Sequence, residues 1–338
     1  MRALQCVSPG HFEYRDLPAP ELKPGHAILR IKRIGICGTD LHAYQGAQPY
    51  FVYPRILGHE LAADLVQADG AEGFVPGEAL TFLPYFACGN CRACREGKSN
   101  CCVSLQVSGV HIDGGMADYY SVPVNLLVKN IGLDYDALAL VEPFAIGAHG
   151  IRRAQVRRDE FVLITGAGPI GLAAMVFAQI AGARVIAMDI NENRLAFCKE
   201  SLGIRHIINP GGEDALSRLV EITGGEMPGV VIDASGNLQA IINAFQYTAH
   251  GGRYVLIGLQ RGEIKFSHPE FHKRELTLMS SRNATRSDFE YVMRSMVEGL
   301  IDPNRFITHR VAFESVKDNF ERWLDPMSGV IKAMVNLD

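Results

Sequence analysis

The sequence predicts an α/β protein in two parts, a mainly β domain and a doubly wound parallel-sheet domain. Three observations carry this expectation: a length of 338 residues, a change of pattern near residue 160, and a glycine-rich turn between an apolar strand and a helix. A chain this long exceeds what one hydrophobic core usually serves, so two cores are expected.

Residues 26 to 145 carry short β-branched runs, such as Ala27–Ile31 and Ala79–Leu83, separated by Gly and Pro, which is the pattern of a mainly β domain. From about 160 the pattern becomes apolar strand, glycine turn and alanine-rich helix in repetition, as in βαβ units. Strands are predicted at Phe161–Thr165, Arg184–Met188, Val230–Asp233, Arg253–Gly258 and Leu276–Met279, with a helix at Ile170–Ile180. Apolar runs of this kind fit a parallel sheet covered by helices on both faces. Beyond Arg282 a helix near Asp288–Glu298 and strands near Thr308–Phe313 and Lys332–Val335 form a tail that fits either domain.

Composition narrows the function classes. A hydrophobic fraction of 48% and a charged fraction of 21% describe an ordinary globular chain. The net charge is −4 and no run of Lys or Arg exceeds a pair, so a nucleic-acid partner is not expected. The opening residues MRALQCVSPGHF lack the apolar core of a signal peptide, and no apolar stretch approaches the ~18 residues that span a bilayer. A cytoplasmic protein with no membrane partner is expected. Eight cysteines stand at 6, 37, 88, 91, 94, 101, 102 and 198, and their clustering between 88 and 102 favours metal thiolates over disulfides in a reducing compartment.

Gly166-Ala167-Gly168-Pro169-Ile170-Gly171 follows a predicted strand and opens a predicted helix, which is the setting a G-x-G-x-x-G dinucleotide turn requires. The first glycine permits the turn, the second admits a pyrophosphate, and the third lets helix and strand pack closely. Helix N-terminal amides then face the phosphates. Asp189 ends the next strand, 18 residues beyond Gly171, where a carboxylate accepts hydrogen bonds from a ribose and repels a 2′-phosphate. Strand, turn, helix and acid in this order favour a Rossmann-type NAD site over a plain glycine turn beside a solvated aspartate. Arg194 lies over the adenine or along the helix surface; acceptance of a phosphate is its alternative role.

Cys88, Cys91 and Cys94, followed by Cys102, supply four thiolates for a closed tetrahedral zinc site. Cys101 competes with Cys102 for the fourth position on spacing alone. With every position filled by protein, such a zinc is structural, stapling a lobe around 86–104 that has little core of its own. A second, dispersed set comprises Cys37, His59, Glu60 and Glu142, the donor types of a catalytic zinc. Spacing alone leaves it even with a buried cysteine and a packed histidine.

GICGTDLHAY at 35–44, PRILGHE at 54–60, the CGNCRAC cluster with Cys102, VEPFAIGAH at 141–149 and GAGPIGL at 166–172 occur in the order seen in zinc-containing medium-chain alcohol and polyol dehydrogenases, and the chain resembles that family over nearly its whole length. GVHIDGGMADY at 109–119 and SRNAT at 281–285 resemble bacterial members of the L-galactonate 5-dehydrogenase type, which oxidise hexonates at C5; sorbitol and threonine dehydrogenases are more distant. The resemblance implies a GroES-like catalytic domain at 1–147, a Rossmann NAD domain at 148–283, and a return of 284–338 to the catalytic domain. It implies a catalytic zinc on Cys37, His59 and Glu142 or Glu60, with the glutamates as exchanging ligands, and a structural zinc completed by Cys102. Cys6, Cys101 and Cys198 are left as spares. Glu142 stands where the alcohol dehydrogenases of this family carry a cysteine, a harder donor that moves the reading towards polyols and sugar acids.

The implied reaction is hydride transfer from a secondary alcohol to NAD, at C5 of a hexonate such as L-galactonate, L-gulonate or L-idonate. Thr39 resembles the relay hydroxyl, passing a proton through the nicotinamide ribose to His42; apart from the resemblance they read as a turn hydroxyl and a surface histidine. Arg282 is the first candidate to hold a substrate carboxylate, through its bidentate fork, with His111 and Lys273 behind it; an ion pair between domains is the bland alternative. A neutral polyol or L-threonine is the competing substrate class. A zinc-stapled nucleic-acid module is opposed by the net charge, and a non-catalytic NAD-binding protein by the joint presence of Cys37, Thr39, His59 and Glu142. A homotetramer or homodimer formed through the nucleotide domain is implied by resemblance.

Overall fold

The structure, a computed structural model, describes residues 1–49 and 51–337. The chain divides into two compact units, residues 1–143 with 284–338, and residues 144–283. The helix Tyr135–Ala154 runs through the division.

The first unit is built on antiparallel strands. Its main sheet runs in the order Leu127–Lys129, Ala79–Phe82, Glu60–Ala68, His26–Gly35, Lys332–Asn336, Ile307–Ala312, and Tyr119–Pro123 also pairs with His26–Gly35. The tail thus supplies two strands of this sheet. Lys332–Asn336 pairs antiparallel with the end of His26–Gly35, and Ile307–Ala312 pairs parallel to it on the other side. A three-stranded sheet of Arg2–Ser8, His11–Asp16 and Arg55–Ile56 and a two-stranded one of Tyr85–Phe86 and Gln106–Val107 complete the β framework. Leu4, Phe12, Leu29, Ile31, Ile34, Leu61, Phe82, Phe313, Phe320 and Val335 share its core. Each such side chain removed from water contributes about 1.5–3 kcal/mol.

The second unit carries a six-stranded parallel sheet: β1 (Phe161–Thr165), β2 (Arg184–Met188), β3 (His206–Ile208), β4 (Val230–Asp233), β5 (Arg253–Leu256) and β6 (Thr277–Ser280). Their order in space is β3-β2-β1-β4-β5-β6, so the winding reverses between β1 and β4. The α/β doubly wound sheet expected from the sequence is present, and so is the shorter strand β3. Leu163, Ile186, Ile208, Leu219, Val231, Ile241 and Tyr254 form its core, with helices α1 (Ala215–Thr223) and α2 (Leu238–Tyr247) laid on it by apolar faces. Among the described residues, no helix is long and apolar enough to cross a membrane.

Candidate metal centres and nucleotide site

In the first unit the helix Gly38–Tyr44 begins at Cys37, and the start is fixed by Asp40, whose Oδ2 accepts from the Cys37 amide at 2.9 Å. Asp40 is fully buried. Its other oxygen accepts from the Gly58 amide at 3.3 Å and lies 3.7 Å from His59 Nδ1. One carboxylate therefore ties the Cys37 turn to the Gly58-His59 segment and places a negative charge beside the imidazole.

Cys37, His59 and Glu60 bring a thiol, an imidazole and a carboxylate to within 4.8 Å of one another. His59 Nδ1 is buried without a hydrogen-bond partner. Burial lowers the affinity of this ring for a proton, yet the charges of Asp40, Cys37 and Glu142 outweigh it and hold the ring well above the usual histidine value. An imidazole and thiol pressed among carboxylates is a donor set that fits zinc, the ion whose charge balances them.

The two glutamates are held differently. Glu60 crosses the strand beside it: a methyl group on Gly35 would fall 2.1 Å from Glu60 Oε2, so only glycine fits there. Beyond Gly35 the carboxylate meets Lys332, whose Nζ donates to Oε1 at 2.7 Å, to Oε2 at 2.6 Å and to the Ile36 carbonyl at 3.0 Å. Lys332 keeps its proton: burial alone lowers its value, and the charges of Glu60, Cys37 and Glu142 raise it above the ordinary lysine range. Glu142, on the helix Tyr135–Ala154, stands outside the close cluster and accepts from the Tyr85 hydroxyl. Burial pushes its carboxyl up to about 7, opposed by His59, Tyr85 and Lys332.

Thr39 and His42 share the helix Gly38–Tyr44, Thr39 half-buried and His42 exposed. His111 is half-buried, its Nδ1 accepting from the Val107 amide at 3.1 Å. Asp40, Tyr85 and Lys332 are the residues of this centre that sequence reasoning missed.

The second cysteine set is local. The four Sγ atoms of Cys88, Cys91, Cys94 and Cys102 lie within 4.8 Å of one another, near the about 3.8 Å that a tetrahedron of 2.3 Å bonds imposes. Backbone amides of Asn90 and Cys91 donate to Cys88 and draw its thiol down to about 6. Between 86 and 104 only Asn100 and Cys102 are buried, so the lobe has no apolar core to hold it. Cys101 is exposed and outside the cluster.

In the second unit Gly166 takes φ +93°, and Gly171 packs against it so closely that a methyl there would fall 1.8 Å from the Gly166 carbonyl oxygen. Gly168 caps the helix Pro169–Ile180, with Pro169 in its first turn followed by Ile170. Asp189 follows β2 and accepts from the Ala167 amide at 2.6 Å and the Asn191 amide at 2.8 Å. Arg194 lies on the helix Glu192–Glu200, with Nη1 3.9 Å from where a methyl on Gly168 would be. Arg282, beyond the end of β6, is exposed, and so is Lys273, which lies 3.9 Å from Glu270.

Two family profiles match the chain. The alcohol dehydrogenase GroES-like domain profile matches residues 23–132, and the zinc-binding dehydrogenase profile matches residues 169–298. The chain is 41% identical, over 99% of its length and 98% of the relative's, to L-galactonate-5-dehydrogenase of Escherichia coli (strain K12). The chain belongs to the zinc-type alcohol dehydrogenase family. It is an NAD-linked, zinc-dependent dehydrogenase of the branch that acts on polyols and sugar acids. This dehydrogenase is also 29% identical to 2-dehydro-3-deoxy-L-galactonate 5-dehydrogenase of Pseudoalteromonas atlantica, over 100% of this chain and 95% of that one. The crystal structure of an Escherichia coli CFT073 alcohol dehydrogenase (rspB) complexed with NADH superposes on it with a TM-score of 0.92, at 29% identity, covering 100% of this chain and 99% of that one. The dehydrogenase therefore combines a GroES-like unit with a Rossmann-type unit, the fold class expected from its sequence.

Proposed function

We propose that this dehydrogenase oxidises a hexonate at C5, with L-galactonate, L-gulonate and L-idonate as the leading substrates and NAD as hydride acceptor. The observation that carries this reading is the 41% identity, along essentially the whole chain, to a relative named for that reaction. The residues 1–147 with 284–338 act as the catalytic domain, and 148–283 as the NAD domain.

In this reading Cys37 and His59, with Glu60 or Glu142 as the third donor, hold the catalytic zinc. Cys88, Cys91, Cys94 and Cys102 hold a second, structural zinc. When bound, zinc at the first site would supply a Lewis acid for a substrate hydroxyl, and NAD a hydride acceptor. Thr39 Oγ1 accepts the hydroxyl proton while giving up its own, and His42 releases the relayed proton to solvent from its imidazole. Asp40 places a negative charge beside the His59 ring, and Tyr85 restrains the Glu142 carboxylate by its phenolic proton. Gly166, Gly168, Pro169, Ile170 and Gly171 form the pyrophosphate turn, Asp189 takes the adenosine ribose hydroxyls, and Arg194 covers the adenine. Arg282 binds the substrate carboxylate, with His111 a further polar contact.

We further propose a homodimer or homotetramer joined through the NAD domain, working in the cytoplasm. The edge position of β6, which pairs on one side only among the described residues, supports the first. The cysteine cluster, which needs a reducing compartment to keep its thiols, supports the second.

The deciding experiment measures NADH formation by zinc-replete protein on the three hexonates, sorbitol, L-threonine and simple alcohols. Turnover of one hexonate far above the neutral compounds supports the reading. A higher rate on sorbitol or threonine overturns the substrate class and leaves the zinc–NAD chemistry in place.

A further inference from the structure

The glycine turn of the second unit does not stand alone: three strand ends converge on one residue, Asp233. Asp233 is the last residue of β4, beside β1, where the strand order reverses. In a doubly wound sheet a ligand enters beyond the carboxyl ends of the strands at such a reversal. Asp233 is fully buried.

Its bonds run in three directions. Towards β1, Oδ1 accepts from Thr165 Oγ1 at 3.0 Å. Into its own loop, Oδ1 accepts from Ser235 Oγ at 2.5 Å and from the Ser235 amide at 3.3 Å, while Oδ2 accepts from the Gly236 amide at 3.1 Å. Beyond β5, its main-chain carbonyl accepts from the amides of Ile257 and Gly258 at 2.9 and 3.0 Å. A buried carboxylate needs such donors to offset the loss of water around it.

The loops so joined leave no room for a side chain. A methyl on Gly166 would lie 2.7 Å from the Ser235 amide nitrogen, and one on Gly258 would lie 2.4 Å from that of Gly236 and 2.6 Å from Asp233 Oδ2. Gly166 and Gly236 both take positive φ, +93° and +61°. The wall against which the Gly166 turn rests is thus the loop 234–236, and Asp233 gives that loop its shape.

We propose that Asp233 is a positioning residue for the dinucleotide: it braces loop 234–236 against the Gly166 turn, so that the amides at the start of the helix Pro169–Ile180 keep their aim at the pyrophosphate. This rests on the reading of the Gly166–Gly171 turn as the nucleotide site. No contact between Asp233 and the nucleotide is required, and its effect belongs to cofactor binding rather than to the chemical step.

The test compares Asp233→Asn with Gly168→Val in the zinc-loaded full chain, by titrating NADH and ADP-ribose, by steady-state kinetics in NAD, and by thermal melting. Asp233→Asn keeps the volume and turns an amide group towards donors. About a tenfold rise in the Kd for both ligands and in KM for NAD is expected, with kcat changed by less than about twofold. A role confined to stability lowers the melting temperature and leaves the Kd of the folded protein unchanged, and that result overturns the proposal. If Gly168→Val abolishes binding while folded Asp233→Asn binds normally, the brace alone is wrong; if neither affects binding, the nucleotide reading of the turn falls with it. Should Asp233→Asn not fold, Thr165→Val and Ser235→Ala each remove one bond of the brace. About a threefold weaker NADH affinity in each is expected, and unchanged affinity in both overturns the proposal.

Discussion

Lys332 and Glu60 form a buried ion pair at the edge of the cluster of Cys37 and His59, with Nζ within 2.7 Å of both carboxylate oxygens. Their side chains are 2% and 0% exposed, so neither charge has water as an alternative partner. In that setting the loss of one member leaves the other uncompensated, whereas the loss of both does not.

The first expectation concerns this pair. Lys332→Met is expected to cost about 3–5 kcal/mol of stability, visible as a large drop in melting temperature and as a loss of zinc from the neighbouring centre. Glu60→Gln combined with Lys332→Met is expected to recover part of the stability lost in Lys332→Met, because the stranded carboxylate is gone. Equal melting temperatures for Lys332→Met and the parent protein would refute the coupling.

The thiol lobe answers to a different perturbation. Cys94→Ser is expected to reduce zinc from about two ions per chain to about one and to expose the segment 86–104 to protease. Cys101→Ser, outside the cluster, is expected to change neither. Metal analysis and limited proteolysis of the two variants read this directly, and an unchanged zinc content in Cys94→Ser would place the ion elsewhere.

Asp189 is the expected source of the preference for NAD. Its carboxylate is anchored by the Ala167 and Asn191 amides, so it cannot swing aside for a 2′-phosphate. Asp189→Ser is expected to weaken NADH by about tenfold and to raise the relative use of NADP by a larger factor. Retained discrimination in coenzyme kinetics would assign selectivity to another residue.

Arg282 is expected to separate the acid substrates from the neutral ones. Arg282→Ala is expected to raise KM for the hexonate by about tenfold or more, since a charged hydrogen bond is lost, with sorbitol turnover and the Kd for NADH unchanged. Unchanged hexonate kinetics would return Arg282 to an ordinary surface role.

The parallel sheet was largely legible because its strands are short apolar runs closed by a turn or an acid: Phe161–Thr165, Arg184–Met188 and Val230–Asp233 are strands as the spacing implies. β3 escaped notice because three residues beginning with His206 carry too little periodicity. The cysteine cluster was legible in Cys88, Cys91 and Cys94, which are neighbours in sequence, whereas the choice of Cys102 over Cys101 did not follow from spacing. The other centre was not, because its determinants are contacts between distant segments. Lys332 lies 272 positions from Glu60, and nothing local joins them. A faint signal was present, however: one lysine inside the apolar run Gly329–Val335 has to find a buried partner. Asp40, three residues after Cys37, also carried the spacing of a helix cap. Tyr85 carried no signal, since its role follows from where the helix of Glu142 comes to lie.

The strand Lys332–Asn336 sits inside the main sheet of the first unit, between His26–Gly35 and Ile307–Ala312. During synthesis, then, His26–Gly35 waits for a partner that is made after the whole second unit. The second unit finds every strand partner within 161–280 and is able to close first, although it is made later than the strands it interrupts. Domains commonly fold in the order in which they emerge; here the interrupted sheet of the first unit has to wait for residues 307–336, which lie beyond the unit inserted in it.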